Sequence, residues 1–449
     1  MVEREVTRLV TLENPSKSYT HISWIVLITN DGERRQHKGE KSARVNEYKS
    51  PPIMKFFSIL LAAPHLAECI GTSPYSEYIL APSSRRLRPA AVHGSFGAVT
   101  GPQYLCTNTG NSTVFDGFSS VTYDFGKNIA GIVSIDVEAS SSSSAVVGLT
   151  FSESSLWINN RSSDATADEG LDAPLVFAVG HGSGLYTAPP ERQRGGFRYL
   201  TVLHNSTGTT SLKELYVQYT AAAAQDPRKY TGYFHSDDEL LNRIWYAGAY
   251  TAQLATINAA YGNSLTVLVT WPPAPPSDYN NWYSNWTITN GSAALTDGGK
   301  RDRLVWGADM AISLETVMVS TNDIASVRNS LESLLALQTA EGRLPYASTP
   351  FPDRQSFTYH LHTLVNFAAY YRYTGDKDWV ATHWRNFKDG VKWAKASIDS
   401  TGLAYVAANA TSDWLRSGMG GYVRCSSHLS RTSNLLAAYI EYRGKRASS

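Results

Sequence analysis

The densest chemistry in the chain lies at Asp297-Gly298-Gly299-Lys300-Arg301-Asp302-Arg303-Leu304-Val305-Trp306-Gly307-Ala308-Asp309. Three carboxylates, three basic residues and a tryptophan fall within these thirteen positions. The glycines and the charge density predict a loop, and the apolar run Met310-Ala311-Ile312-Ser313-Leu314 predicts a helix after it. Asp309 then sits near that helix's N-terminus, where the macrodipole favours an ionised carboxylate. Arg301 and Arg303 can hold neighbouring carboxylates ionised. Hydrolysis of a glycosidic bond needs one protonated and one ionised carboxyl group, with further acids gripping sugar hydroxyls. A cluster of this kind can supply them. On the charges alone, an ordinary loop with surface ion pairs stays open as a reading. A Ca2+ loop fits less well, because basic residues sit among the acids and no Glu follows at the spacing of a bidentate ligand.

Two stretches of different period must position this loop. From about 90 to 225, short runs rich in β-branched residues at 121–126, 132–137, 145–151, 197–202 and 215–219 are separated by Gly, Ser and Asn clusters. That spacing predicts an antiparallel β-sandwich, with a low-complexity loop at 140–144. At Phe234 the period changes. Ser236-Asp237-Asp238-Glu239 reads as a capping box with Ser236 at the N-cap, followed by one stripe of Leu240, Leu241, Ile244, Trp245, Gly248 and Thr251. Further helices are expected to start near Ala308, Asp323, Phe357 and Asp376. In the second of these, Ile324, Val327, Leu331, Leu334 and Leu335 repeat at three and four. Gly375-Asp376 reads as a helix end followed at once by an N-cap. The second half is therefore expected to be built of antiparallel helix pairs. An aromatic, Pro- and Asn-rich stretch at 271–290 is long enough to be a functional loop.

Composition narrows the partners. Forty Lys and Arg against 39 Asp and Glu leave a net charge of +1, so no general electrostatic case exists for nucleic acid or an anionic membrane surface. Hydrophobic residues at 42% and charged residues at 18% argue against a disordered chain. Three cysteines are too few for a disulfide scaffold or a four-cysteine zinc site, although Cys106 and Cys425 are a candidate pair. No apolar run reaches the 18 residues of a membrane span.

Residues 1–53 are polar and mixed, and then Met54-Lys55-Phe56-Phe57-Ser58-Ile59-Leu60-Leu61-Ala62-Ala63 has the order of a secretory signal: one charge, an apolar core, small residues. Translation from Met54 is expected, with 1–53 a disordered extension of the reading frame and 54–70 the signal. Asn-x-Ser/Thr acceptors begin at Asn111, Asn160, Asn205, Asn285, Asn290 and Asn409, all after that segment, as secretion and N-glycosylation would require.

The acid-rich segment strongly resembles the signature of the α-L-rhamnosidases of glycoside hydrolase family 78, particularly the fungal ones. Asp297, Asp302 and Asp309 match that family's three acids, five and then seven positions apart, together with Arg301, Arg303, Trp306 and Gly307. The flanks resemble it too, at Ser236-Asp237-Asp238-Glu239-Leu240-Leu241-Asn242-Arg243-Ile244-Trp245-Tyr246, Gly342-Arg343-Leu344-Pro345-Tyr346 and Thr374-Gly375-Asp376. The resemblance implies a multidomain β + α fold: an N-terminal antiparallel β-sandwich at 80–228, then an (α/α)6 barrel of the six-hairpin glycosidase type, of which 229–421 is the N-terminal half. It implies a secreted, inverting hydrolase that removes terminal α-L-rhamnose from a rhamnosylated glycoside or polysaccharide. No cofactor, metal, nucleic acid or membrane partner is implied.

In that frame Asp297, Asp302 and Asp309 grip rhamnose, and the proton donor is Asp302 or Asp309. Arg301, Trp306, His360, Asp413 and Trp414 are the further expected substrate contacts. Bacterial relatives carry an acid near the position of His360, so His360 is a departure. His360 and His362 face different sides of a helix and make a poor metal pair. After Gly421 the resemblance is expected to stop, leaving 422–449 as an unrelated tail, the barrel half complete, and the general base outside the chain. Weak or absent hydrolysis is then expected, with a carbohydrate-binding remnant or a fragment as alternatives.

Overall fold

The computed structural model describes residues 74–107, 109–163, 172–263, 284–301, 303–351, 353–412, 418 and 420–423. All of them lie in the unit Ile70–Ser449. The readings made for 1–53, 54–70 and most of 271–290, and those for Asp302, Asp413, Trp414 and Cys425, lie outside the described residues. Cys106 is unpaired.

The first half is β structure. β1 (Arg86–Leu87), β2 (Ala91–Thr100), β3 (Thr113–Ser140), β4 (Val146–Ser152), β5 (Leu175–Ala178), β6 (Gly184–Thr187), β7 (Arg194–His204) and β8 (Thr209–Tyr219) form one hydrogen-bonded antiparallel sheet that curls on itself. The curl comes from β3. Its first part pairs with β2, β7 and, at Thr113–Asp116, β8; its second part pairs with β6 and β8 and, at Ile129 and Gly131, with β7. The sequence reading divided this stretch into two strands at Gly126. Instead Gly126, at φ +77°, makes a bend within one strand, and its amide donates to Asp124 Oδ1 at 2.6 Å. Residues of alternating parity on both parts point inward: Val121 and Tyr123 from the first, Val133, Ile135 and Val137 from the second. They share one apolar core with Val147, Leu149, Val202, Leu215 and Val217. Fully burying side chains of this size contributes about 1.5–3 kcal/mol each, the main favourable term for the layer.

The second half is helical: α1 (Glu239–Leu254), α2 (Gly307–Val319), α3 (Ile324–Ala336), α4 (Phe357–Thr374) and α5 (Lys377–Lys395). Short strands β9 (Thr256–Asn258) and β10 (Ala293–Leu295) pair between α1 and α2, and β11 (Ala404–Val406) pairs with β12 (Gly421–Val423) after α5. The expected starts hold. Asp323 caps α3 through Ser326 N, Ser356 caps α4 through Tyr359 N, and Asp376 caps α5 through Trp379 N. Gly375 closes α4 in the left-handed region at φ +65°. Val327, Leu331, Leu334 and Leu335 are buried as their spacing predicts. No helix among the described residues is long and apolar enough to cross a membrane.

α1 departs from expectation twice. Its N-cap is Asp238, whose carboxylate accepts from Leu240 N and Leu241 N, while Ser236 Oγ turns to Asp238 O and Asn242 Oδ1. Its buried face carries Asn242, Tyr246, Ala249, Tyr250 and Gln253. Leu240, Leu241 and Ile244 of the expected stripe are 64%, 48% and 43% exposed. Both stripes fit a helical period, but the larger aromatic area of Tyr246 and Tyr250 is the one taken into the β-layer core.

Candidate active site

The acid-rich loop hangs between β10 and α2. β10 is tied to α3, where the buried Ser330 hydroxyl accepts from Leu295 N at 2.8 Å. Thr296 N and Thr296 Oγ1 both donate to Ala255 O at 2.9 Å. The loop then closes on itself. Asp297 N donates to Leu304 O at 3.1 Å, and Leu304 N donates to Asp297 Oδ1 at 3.3 Å. Asp297 is therefore spent partly on loop geometry.

After the loop, Val305 N donates to Ser348 Oγ at 3.1 Å and Ser348 N to Val305 O at 2.8 Å. This pairing, continued by Trp306 against Ala347, brings together residues 43 and 41 positions apart in sequence. The Trp306 ring stands edge-on to Tyr346 at 4.8 Å and to Phe351 at 4.7 Å, with Tyr359 6.2 Å away. Arg343 forks onto Asp353 at 2.9 and 2.7 Å, tying down the ends of the segment that carries Tyr346 and Phe351. Trp306, Tyr346 and Phe351 are each only partly buried. Partly exposed aromatic rings can pack on the C–H surface of a sugar.

Asp309 lies in the first turn of α2. α2 is pressed on α4 at Gly307, where a Cβ would fall 2.3 Å from Thr363 Oγ1. Asn366 Nδ2 donates to Gly307 O at 2.6 Å across the same contact. Only glycine permits this approach, and the approach sets the Asp309 carboxyl against the Tyr359 hydroxyl, to which it is hydrogen-bonded. Burial raises the Asp309 pKa above the usual carboxylate range, and the Tyr359 bond offsets part of that rise. Asp297 also acts on Tyr359 electrostatically.

Arg303 is 1% exposed, and its Nε has no hydrogen-bond partner. Burial lowers its pKa to about 10, and Asp297 works against that shift. Of the two arginines expected to hold a neighbouring acid ionised, Arg303 is the one that feels the Asp297 carboxylate among the described residues. Arg301 is half-buried.

His360 is corrected outright. It is fully buried, its Nδ1 accepts from Leu344 N at 3.0 Å, and its Nε2 lies 3.0 Å from Gly390 O. A ring nitrogen that accepts from an amide leaves the other to donate, so the neutral tautomer is fixed and no nitrogen is left for a sugar or a metal. His360 fastens α4 to the Leu344 segment and α5. In its place the structure brings in Tyr359, the preceding residue, with Tyr346 and Phe351, none of which the sequence reading singled out. Tyr346 lies inside a segment that resembles the family, and Tyr359 stands next to the departure at His360; that was the available signal.

Residues 278–439 match the family model described as the bacterial alpha-L-rhamnosidase 6 hairpin glycosidase domain. The match includes the acid-rich loop, α2 to α5 and the aromatic cluster, and it runs past Gly421, where the sequence reading had ended the resemblance. The fold is similar to that of a family 78 rhamnosidase of Bacillus sp. GL1, at 17% identity and a TM-score of 0.55. That superposition covers 75% of this chain and 31% of the Bacillus chain. It is also similar to a rhamnosidase of Klebsiella oxytoca with rhamnose bound, at 16% identity and a TM-score of 0.57. This one covers 82% of this chain and 70% of the Klebsiella chain. The chain thus spans about a third of the length of the Bacillus protein. No curated protein sequence matches it.

Proposed function

We propose that the chain is an α-L-rhamnosidase-type glycoside hydrolase. It binds a terminal α-L-rhamnose with Asp297, Asp302 and Asp309 against Trp306, and it cleaves the glycosidic bond with inversion. The observation that carries this is the Asp309 carboxyl: desolvated, raised in pKa, bonded to Tyr359 and beside a partly buried aromatic cluster, inside the segment that matches the rhamnosidase domain. A carboxyl kept protonated is what a leaving glycosidic oxygen needs. Calorimetry with L-rhamnose and hydrolysis of an aryl α-L-rhamnoside test the reading. Binding in the micromolar-to-millimolar range with measurable, inverting release supports it. Binding without release favours a sugar-binding remnant, and no binding removes the proposal.

The protein is proposed to be secreted from Met54. In support, all six acceptor asparagines (Asn111, Asn160, Asn205, Asn285, Asn290 and Asn409) are exposed. Mass-spectrometric N-terminal sequencing of the product from a eukaryotic host should begin after residue 54. A mature N-terminus within 1–53 contradicts this.

A further inference from the structure

Resting on the rhamnose-binding reading, we propose that the β-domain is part of the sugar site. Glu153 and the Gly195-Gly196 main chain of β7 act as positioning elements that set the acid-rich loop through Lys300 and Gly299. The loop is pinched from two sides. On one side Gly196 N donates to Gly299 O at 2.8 Å, and a Cβ on Gly195 would stand 2.1 Å from Gly299 O and 2.4 Å from Lys300 O. On the other side a Cβ on Gly299 would stand 3.1 Å from the Leu254 side chain, at the end of α1. Gly195 therefore lets the β7 main chain lie directly on the loop main chain, two positions from Asp297.

The side chains repeat the same contact. Glu153 Oε2 is 3.3 Å from Lys300 Nζ, with the two side chains 35% and 25% exposed. Asn128 Nδ2 donates to Glu153 Oε1 at 2.6 Å, so both carboxylate oxygens are held. Asn128 sits just after the β3 bend, and its carbonyl accepts from Tyr250 OH of α1 at 2.6 Å. One run of contacts thus joins α1, the β3 bend, the end of β4 and the acid-rich loop. A part-buried pair inside such a network is worth more than an exposed one. From the helical half the loop is anchored at Thr296 and Val305, and Asn263 N donates to Arg303 O at 3.2 Å. At Gly299 and Lys300 it is held from the β-domain and from Leu254 of α1. Carboxylates that grip sugar hydroxyls tolerate little displacement, since a shift of about 1 Å costs on the order of 100-fold in rate or affinity.

The test compares wild type with Glu153→Gln, Lys300→Met and the exchange variant Glu153→Lys/Lys300→Glu. It reads amide hydrogen exchange, L-rhamnose affinity by calorimetry and melting temperature. Glu153→Gln keeps an acceptor for Asn128 and removes only the charge. Each single variant is expected to speed exchange at Gly196 and over 296–301 by about 10-fold and to weaken L-rhamnose by about 10-fold. Melting should stay within about 3 °C, and the exchange variant should recover most of the affinity. Unchanged exchange at 296–301, or exchange rising equally through α3 to α5, overturns the proposal. If wild type binds no L-rhamnose, the functional reading fails, and exchange at Gly196 and 296–301 alone decides whether the β-domain holds the loop.

Discussion

Asp309→Asn is expected to lower hydrolysis of α-L-rhamnosides by ~10²–10⁴-fold, the usual contribution of a positioned general acid. L-rhamnose affinity should change far less, by about 10-fold or under, because asparagine keeps the size and an acceptor. The pH profile carries the mechanism. A donor must be protonated, and burial raises the Asp309 pKa. Activity should therefore persist above the ordinary carboxylate range before it falls with rising pH. Tyr359→Phe removes the bond that lowers that pKa, so the alkaline limb should move to still higher pH. The loss in Asp309→Asn should also be greater for an alkyl rhamnoside than for a nitrophenyl one, since a poor leaving group depends more on proton donation. Equal losses for both would make Asp309 a sugar-gripping acid and transfer the donor role to Asp302. Turnover within threefold of wild type would show that the carboxyl is structural.

The second large effect is on stability. Burial lowers the folded-state pKa of His360 from 6.5 to about 4. The unfolded chain therefore takes up a proton near pH 6.5, whereas the folded chain resists until about 4. His360 contributes its full stability above the unfolded value, and the contribution is lost as pH falls through this window, with no further loss below about 4. The separation corresponds to about 3 kcal/mol at ~1.4 kcal/mol per unit, a large share of a typical net stability of ~5–15 kcal/mol. His383, also lowered by burial, adds in the same direction. The carboxylates depressed by Arg198 and Arg343, Asp124 and Asp353, lose their contributions at lower pH. Urea unfolding at pH 7.5 and 4.5 measures the sum. His360→Gln should be less stable at pH 7.5, with Leu344 N or Gly390 O left poorly paired, and should show a shallower pH dependence. An equal slope in the variant would mean that His360 titrates normally in the folded state.

Features set within a few residues were legible without the fold. The α3 stripe of Val327, Leu331, Leu334 and Leu335, the caps Asp323 and Asp376, and the Gly375 ending rest on periodicity, on side chains reaching amides two or three residues ahead, and on the one residue that enters the left-handed region freely. The acid-rich loop stood out because so many charges around glycines cannot form a core element. Asp309 at a helix start followed from the apolar run after it.

What depended on distant chain did not show. α1 has two faces of acceptable period, and only its docking on the β-layer buries Tyr246 and Tyr250 and leaves Leu240, Leu241 and Ile244 in water. Gly126 reads as a break by type and acts as a bend, because strands on both sides of it pair with the same neighbours. His360 looked like a ligand until its nitrogens met Leu344 N and Gly390 O, groups contributed by other segments. The pKa of Asp309 depends on Tyr359, 50 positions away. Glu153 reaches Lys300 from a strand nearly 150 positions earlier. Desolvation and pair contacts are properties of position in space, and only the packing of the β-layer, α2 and α4 around the loop decides them.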